Sequence, residues 1–341
     1  MSAQEYFGIR NDLADRLMAG SHQLAGVPEP DRGSVLRAAV EAVPLAADWL
    51  RPFPALFAEG DSSASRLAFS CLSAAATFPR AELDQIASLG ALTTILFGVD
   101  DIADGIAGSW SDRDFAAFFQ RLPAILTGGA PPEGAGGPVA ELLEAWRQWC
   151  ERFHRYPGAA EHAPEFAVQL EIAGAAMGRE RGWTSGVEAW PSYSGYLANG
   201  MITILYHAWW TAALGVCGPL PARAAHWTAI EHATDLGGSC LRLANDIRSF
   251  ERERAEGKPN SISILERSGL STAQAVAQVS AHVDELDAAF LKELGELPAE
   301  LAGVAEGQRR SVAFNGGWYR ARDTHAYTVQ DLGDDARAHG G

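Results

Sequence analysis

The feature that most constrains this chain is the three-to-four-residue spacing of its apolar side chains, sustained over segment after segment. "DRGSVLRAAVEAVPLAADWL", "RAELDQIASLGALTTILFGVDDIAD", "VAELLEAWRQWCERFHRY", "PEFAVQLEIAGAAMGRERGW", "PSYSGYLANGMITILYHAWWTAALGV", "RAAHWTAIEHATDLGGSCLRLANDIRSFERERAEG" and "STAQAVAQVSAHVDELDAAFLKEL" all repeat in this way. A helical turn brings such positions onto one face, so each segment reads as an amphipathic helix. Strand-like alternation is scarce, and the chain is read as all-α. The breakers fall between the segments. "GGAPPEGAGGP" at 128–138 reads as a flexible loop, "CGPLPARA" at 217–224 as a tight connection, and "EGKPNSISIL" at 256–265 as the end of one helix and the bend into the next. Ser271 ahead of "AQAVAQV" reads as an N-cap. No fixed-period repeat is visible. A single domain is expected over 1–341, with an N-terminal segment at 1–30 and a mobile tail at 329–341.

A chain of 341 residues, 47% of them hydrophobic, has enough apolar surface for one large core. Its formal net charge of -16 argues against sequence-independent nucleic-acid binding. If the ligand is itself an anion, a cation must mediate, and a divalent metal is the natural choice. Cys71, Cys150, Cys217 and Cys240 are scattered, without zinc-type spacing or the density of a disulfide scaffold. The start, "MSAQEYFGIRNDLADRL", lacks the apolar run of a signal peptide. No stretch reaches the roughly 18 uninterrupted apolar residues of a membrane span. The expectation is a cytoplasmic protein with neither membrane nor nucleic acid as partner.

Two stretches break the apolar pattern with chemistry. "FGVDDIADG" at 97–105 sets Asp100, Asp101 and Asp104 at the end of a greasy helix. Asp100 and Asp104 are one turn apart and share a face, while Asp101 lies about 100° round. Carboxylates so close repel one another, and their oxygens are the ligands a hard cation such as Mg²⁺ takes. "RLANDIRSFERE" at 242–253 sets Asn245, Ser249 and Glu253 at i, i+4 and i+8. They line one side of a helix over a rise of about 12 Å, a mixed oxygen site for another Mg²⁺. Read singly, the first is a solvated helix end and the second a salt-bridged surface helix carrying Arg248, Arg252 and Arg254.

The pair of motifs resembles the class I terpene synthases, in which a DDxxD on one helix is followed about 140 residues later by an NDxxSxxxE triad on another. "RLANDIRSFERE" followed by "EGKPNS" is similar to the corresponding segment of plant diterpene synthases of the kaurene-synthase kind. The resemblance implies a helical barrel around a deep central apolar cavity. Three Mg²⁺ ions at its mouth would grip the diphosphate of an isoprenoid substrate. It implies Asp100 and Asp104 as ligands of two ions with Asp101 in support, and Asn245, Ser249 and Glu253 as ligands of the third. The cation left after diphosphate departs needs a dry pocket with aromatic faces in its wall. Candidates for it are Phe97, Tyr196, Thr203, Trp209, Trp210, Phe314 and Trp318.

Two departures from the family pattern bear on substrate. Many microbial members carry a diphosphate-sensing Arg 46 residues before the Asn of the triad, where this chain has Asn199. An Arg-Tyr pair near the C-terminus becomes Ala326-Tyr327, so Tyr327 is kept and the Arg is lost. Asn donates hydrogen bonds without bringing charge. Arg242 is then the first candidate for diphosphate binding, followed by Arg320, Arg322 and Arg252. Together with the plant-like segment, these losses point to a bicyclic labdane (copalyl-type) diphosphate, made by a separate class II diterpene cyclase. The alternatives are a cyclase of linear geranylgeranyl or farnesyl diphosphate and, in another class, a non-catalytic helical isoprenoid-binding protein. A chain-elongating prenyltransferase would carry a second aspartate-rich motif in place of Asn-Ser-Glu. His207 reads as an ordinary hydrogen-bonded residue. The resemblance also implies a homodimer, which no apolar stripe in the sequence marks.

Overall fold

The structure is a computed structural model that describes residues 24, 27–57, 61–104, 110–129, 137–218, 226–321, 332–333 and 336–337. Among the described residues every long regular element is an α-helix: α1 Glu29–Leu50, α2 Asp61–Thr77, α3 Leu83–Asp104, α4 Asp112–Leu126, α5 Gly137–Phe153, α6 Ala159–Ser185, α7 Tyr193–Thr203, α8 Tyr206–Val216, α9 Trp227–Glu256, α10 Ser261–Arg267, α11 Thr272–Glu296 and α12 Ala302–Ala321. The helix starts follow capping chemistry. Ser111, Ser192 and Asn260 each accept a backbone N–H of the first turn with the side chain, and Ser271 closes a full capping box with Gln274.

The helices close on themselves. α2 packs on α3, α3 on α5, α5 on α4, α4 on α6, α6 on α7, α7 on α9, α9 on α12, and α12 returns to α2. α8, buried at every position, packs against α3, α6 and α9 from within this circuit. α1 covers α2 and α3, while α10 and α11 brace α9. The main core draws on helices from both halves of the chain and includes Leu72, Ile95, Phe118, Trp146, Phe166, Trp210 and Phe314. A second core of Leu243, Phe250, Ile262 and Val279 fixes α9 to its outer braces. α3 is long and apolar enough over Leu83–Ala103 to cross a membrane, and 67% of its most apolar window is buried in the bundle, as befits a core helix. Leu332, in the stretch read as a tail, is buried in the main core; most of 329–341, and most of 1–30, lies outside the described residues.

The structure corrects the segment reading in places. α2, α4 and α12 are helices that the seven periodic stretches did not include, and α1 starts at Glu29, behind a Pro28 N-cap and two residues ahead of the first stretch. The stretch "PSYSGYLANGMITILYHAWW" is two helices, not one. α7 stops at Thr203, Leu205 takes φ 59°, and α8 starts afresh at Tyr206. Ile202, Thr203 and Ile204 are consecutive β-branched residues, which weaken a helix, and a non-glycine residue in the left-handed region ends it. α9 runs through the bend-free middle of its segment and stops at Gly257, whose φ of 70° makes it a left-handed cap.

Candidate active site

Three aspartates in the last turn of α3 stand against the negative end of the helix dipole, and no basic residue of that helix offsets them. One acquires a partner by packing. Arg66 of α2 forms a two-pronged pair with Asp101, Nη1 donating to Oδ2 and Nη2 to Oδ1 at 3.1 Å, while its guanidinium lies 5.2 Å from the centre of the Phe97 ring. Asp100 is exposed and close enough to Tyr319 of α12 to act on it. Burial, and then the Asp100 charge, push the Tyr319 phenol up to about 12. Asp104 closes α3; the described part of that residue is its backbone.

The triad of α9 is ordered differently. Ser249 is buried and its hydroxyl donates to the Asn245 carbonyl at 3.0 Å, which spends the proton and leaves the oxygen lone pairs for a cation. Glu253 is only 8% exposed. Its Oε2 accepts from Nδ2 of Asn260 at 2.9 Å, and its Oε1 lies 3.8 Å from Arg252. Arg252 itself is exposed and turns to Glu256 at 3.4 Å. Asp246, next to Asn245, faces away into the fold. Its carboxylate accepts from the Tyr196 hydroxyl at 2.8 Å and the Ser261 N–H at 3.1 Å and lies 3.0 Å from Arg242 Nε. Burial lifts the Asp246 carboxyl to about 6 against the pull of Arg242, with Glu253 adding to the rise.

Two of the residues expected to hold diphosphate, Asn199 and Arg242, fall into a second polar cluster between α6, α7 and α9. Asn199 is buried; its Oδ1 accepts from Arg179 Nε at 2.7 Å and its Nδ2 donates to the Ala176 carbonyl at 3.0 Å. Thr203 donates to Glu180 Oε1 at 2.7 Å. Arg242 reaches the Tyr196 hydroxyl at 2.9 Å and approaches Glu180 at 3.8 Å. Asn199, Thr203, Tyr196 and Arg242 therefore meet around Glu180 and Arg179, two residues of "MGRERGW" that sequence reasoning missed. Arg320 lies on the last turn of α12, where the description covers backbone alone, and Arg322 and Tyr327 lie outside the described residues. His207 pairs with Asp235 at 2.7 Å.

The aromatic candidates separate into groups. Phe97, Phe314 and Trp318 gather around Phe69 of α2, with ring centres 6.4, 6.2 and 5.1 Å from it. Tyr319 joins this group at 6.4 Å. Trp209 and Trp210 stack instead on Phe78, at 6.4 and 5.6 Å, and Trp209 donates its indole N–H to Thr93 at 2.9 Å. Tyr196 belongs to the polar cluster. Phe69 was not singled out from sequence, because an aromatic in an Ala- and Ser-rich stretch carries no periodic signal of its own.

The last turns of α12 reach α9 directly and feel the charge of α3. Gly316 lies over Leu241, which is one turn ahead of Asn245 on α9, and the Asp100 charge acts on Tyr319. Among the described residues no three His, Cys, Asp or Glu side chains converge as a ready metal cage. That follows from the donor set: the triad contributes one carboxylate, and its other donors are an amide and a hydroxyl. The donors are all hard oxygens, and the acids of α3 carry charge that the helix end itself disfavours, so the residues fit a divalent cation such as Mg²⁺.

The family described as "Terpene synthase family 2, C-terminal metal binding" matches residues 91–286, which contain both motifs. No curated protein matches the sequence. The fold is shared with solved structures, terpene synthases among them. An ancestrally reconstructed protein, SVS_A2, superposes with a TM-score of 0.71 at 18% identity, over 82% of this chain and 85% of that one. Linalool/nerolidol synthase from Streptomyces clavuligerus, solved with 2-fluorogeranyl diphosphate, gives 0.63 at 22% identity over 83% and 92%. Germacradien-4-ol synthase from Streptomyces citricolor gives 0.64 at 20% identity over 83% and 93%. With both motifs inside the matched region and the all-helical fold in common, the chain belongs to terpene synthase family 2, enzymes with a metal-binding C-terminal region that act on isoprenyl diphosphates.

Proposed function

We propose that the protein is a Mg²⁺-dependent class I diterpene synthase that ionises the allylic diphosphate of a bicyclic, copalyl-type substrate. The observation that carries the metal-dependent ionisation is Glu253, a carboxylate 8% exposed and hydrogen-bonded by a neutral amide rather than neutralised by a tight ion pair. Such a group is costly to bury unless it serves a cation. Asp100 and Asp104 would hold two ions and Asn245, Ser249 and Glu253 the third. When bound, Mg²⁺ supplies Lewis-acid stabilisation of the departing diphosphate.

The residues of the chain do the rest. Asp101 is committed to Arg66, and that pair holds the acidic turn of α3 in place. The Phe69, Phe97, Phe314 and Trp318 rings are suited to line the hydrocarbon side of the pocket, where their faces would stabilise positive charge and exclude water. Arg242, its charge already shared with Asp246, would lend hydrogen bonds to diphosphate at the rim. The bicyclic substrate rests on the "RLANDIRSFERE…EGKPNS" segment and on Asn199 in the place of an Arg. It requires a separate class II cyclase upstream, and we place the enzyme in the cytoplasm, acting as a homodimer.

A second reading is a linear isoprenyl diphosphate, favoured by the 2-fluorogeranyl diphosphate bound to the linalool/nerolidol synthase of the same fold. Purified protein with Mg²⁺ is to be offered copalyl, geranylgeranyl and farnesyl diphosphates in parallel, with hydrocarbon and alcohol products resolved by mass spectrometry. Turnover of copalyl diphosphate is the expected result. Products from farnesyl diphosphate alone would overturn the diterpene assignment, and no product with any of the three would overturn the catalytic one.

A further inference from the structure

Asn260 stands outside both motifs, yet its side chain is fully engaged beside the triad. It is fully buried at the N-cap of α10. One Nδ2 proton goes to the Asp246 carbonyl at 2.9 Å and the other to Glu253 Oε2 at 2.9 Å, while Oδ1 accepts from the Ile262 N–H at 2.9 Å. These three bonds fix which end of the amide is nitrogen, since a flipped amide would set oxygen against two acceptors. The side chain therefore has no rotational freedom left. It bridges two positions of α9 seven residues apart, the one after Asn245 and Glu253 itself. The contact is returned, because Asp246 accepts from the backbone N–H of Ser261 at 3.1 Å. The turn between α9 and α10 is thus locked from both sides, with Gly257 as the left-handed cap that lets the chain double back.

We propose that Asn260 is a positioning residue for the metal: by donating to Oε2 of Glu253 it holds that carboxylate with Oε1 presented to the ion. This rests on the reading of Glu253 as a metal ligand. An outer donor that aims a ligand typically governs metal affinity by about 10–100-fold. A cap alone governs fold stability. The two roles separate in Asn260→Ser, because Ser is an equally good N-cap for Ile262 but is too short to bridge to Glu253.

The test measures the Mg²⁺ concentration that gives half of the thermal stabilisation produced by Mg²⁺ with inorganic diphosphate, in wild type and in N260S. The expected result is a half-saturation point at least about tenfold higher in N260S, beyond the drop in metal-free melting temperature that the two lost buried bonds bring to it. An N260S protein with wild-type Mg²⁺ dependence overturns the role of Asn260 and leaves the metal reading standing. A wild-type protein that gains no stability from Mg²⁺ and diphosphate overturns the metal reading, and this inference with it. If N260S does not fold, a crystal structure of the wild type with Mg²⁺ and inorganic diphosphate decides. Asn260 bonded to Oε2 with Oε1 on the ion upholds the assignment, and Oε2 on the ion with the amide turned away overturns it.

Discussion

Asp100 and Asp101 are adjacent and chemically identical, and packing gives them different work. Asp101 has both oxygens on Arg66, whereas Asp100 faces the Tyr319 side of the site. Substituting Asp101→Asn should therefore loosen the turn and cost about tenfold in turnover, as a supporting contact does. Asp100→Asn should cost about a hundredfold or more, as loss of charge at the reacting end does. Steady-state kinetics at saturating Mg²⁺ checks both, and equal losses would contradict the division of labour. The motif that carries these acids is plain in the sequence because its spacing is local. Arg66 is not, since it lies 35 residues away and is brought to Asp101 by the packing of α2 on α3. The same holds for Arg179 and Glu180, whose meeting with Asn199 depends on how α6 crosses α7.

At the level of helices, close approach is set by what is missing. A Cβ on Gly238 of α9 would lie 2.9 Å from the Met201 carbonyl of α7, a backbone atom that cannot swing aside. Gly238→Ala should destabilise the protein by about 1–3 kcal/mol, read as a lower urea midpoint. Gly295→Ala on α11, where a Cβ meets nothing within 4 Å, should instead stabilise it by about 0.4–1 kcal/mol. α12 is pinned to α1 by charge. Glu306 accepts from Arg309 at 2.7 Å and from Arg310 at 2.7 Å, and Arg310 reaches Asp31 at 3.2 Å. The Arg309 bond, with Arg310 helping, holds the Glu306 carboxyl below its ordinary 4.5. A carboxyl lowered on folding contributes stability above its unfolded value and loses it as pH falls through the folded one. Glu306→Gln should flatten the acid side of a stability-against-pH curve, by less than about 1 kcal/mol for so exposed a pair. The break between α7 and α8 shows where periodicity misleads. Apolar spacing continues through Ile202–Leu205, so the pattern reads as one helix, and only the β-branched run hints at the stop.

Over the whole molecule, helical class is legible because each helix needs a partner for its apolar face. The order in which helices close the circuit is not, since their faces are chemically alike. That order matters for function. It brings Gly316 of α12 against Leu241, one turn ahead of the triad of α9, while the charge of Asp100 at the acidic end of α3 acts on Tyr319 of the same helix. If cations and diphosphate bridge the two walls, binding at the gap must tighten both helices together, although the motifs are 145 residues apart from Asp100 to Asn245. Mg²⁺ alone would meet one wall at a time and fix neither firmly. Hydrogen exchange gives the direct measurement. Adding Mg²⁺ with inorganic diphosphate should slow exchange over 97–104 and 245–253 in concert, by about tenfold or more for the roughly 1.4 kcal/mol that even modest joint binding supplies. Mg²⁺ without diphosphate should change either stretch much less. Protection of one stretch with the other unmoved would mean that the two walls do not share a ligand.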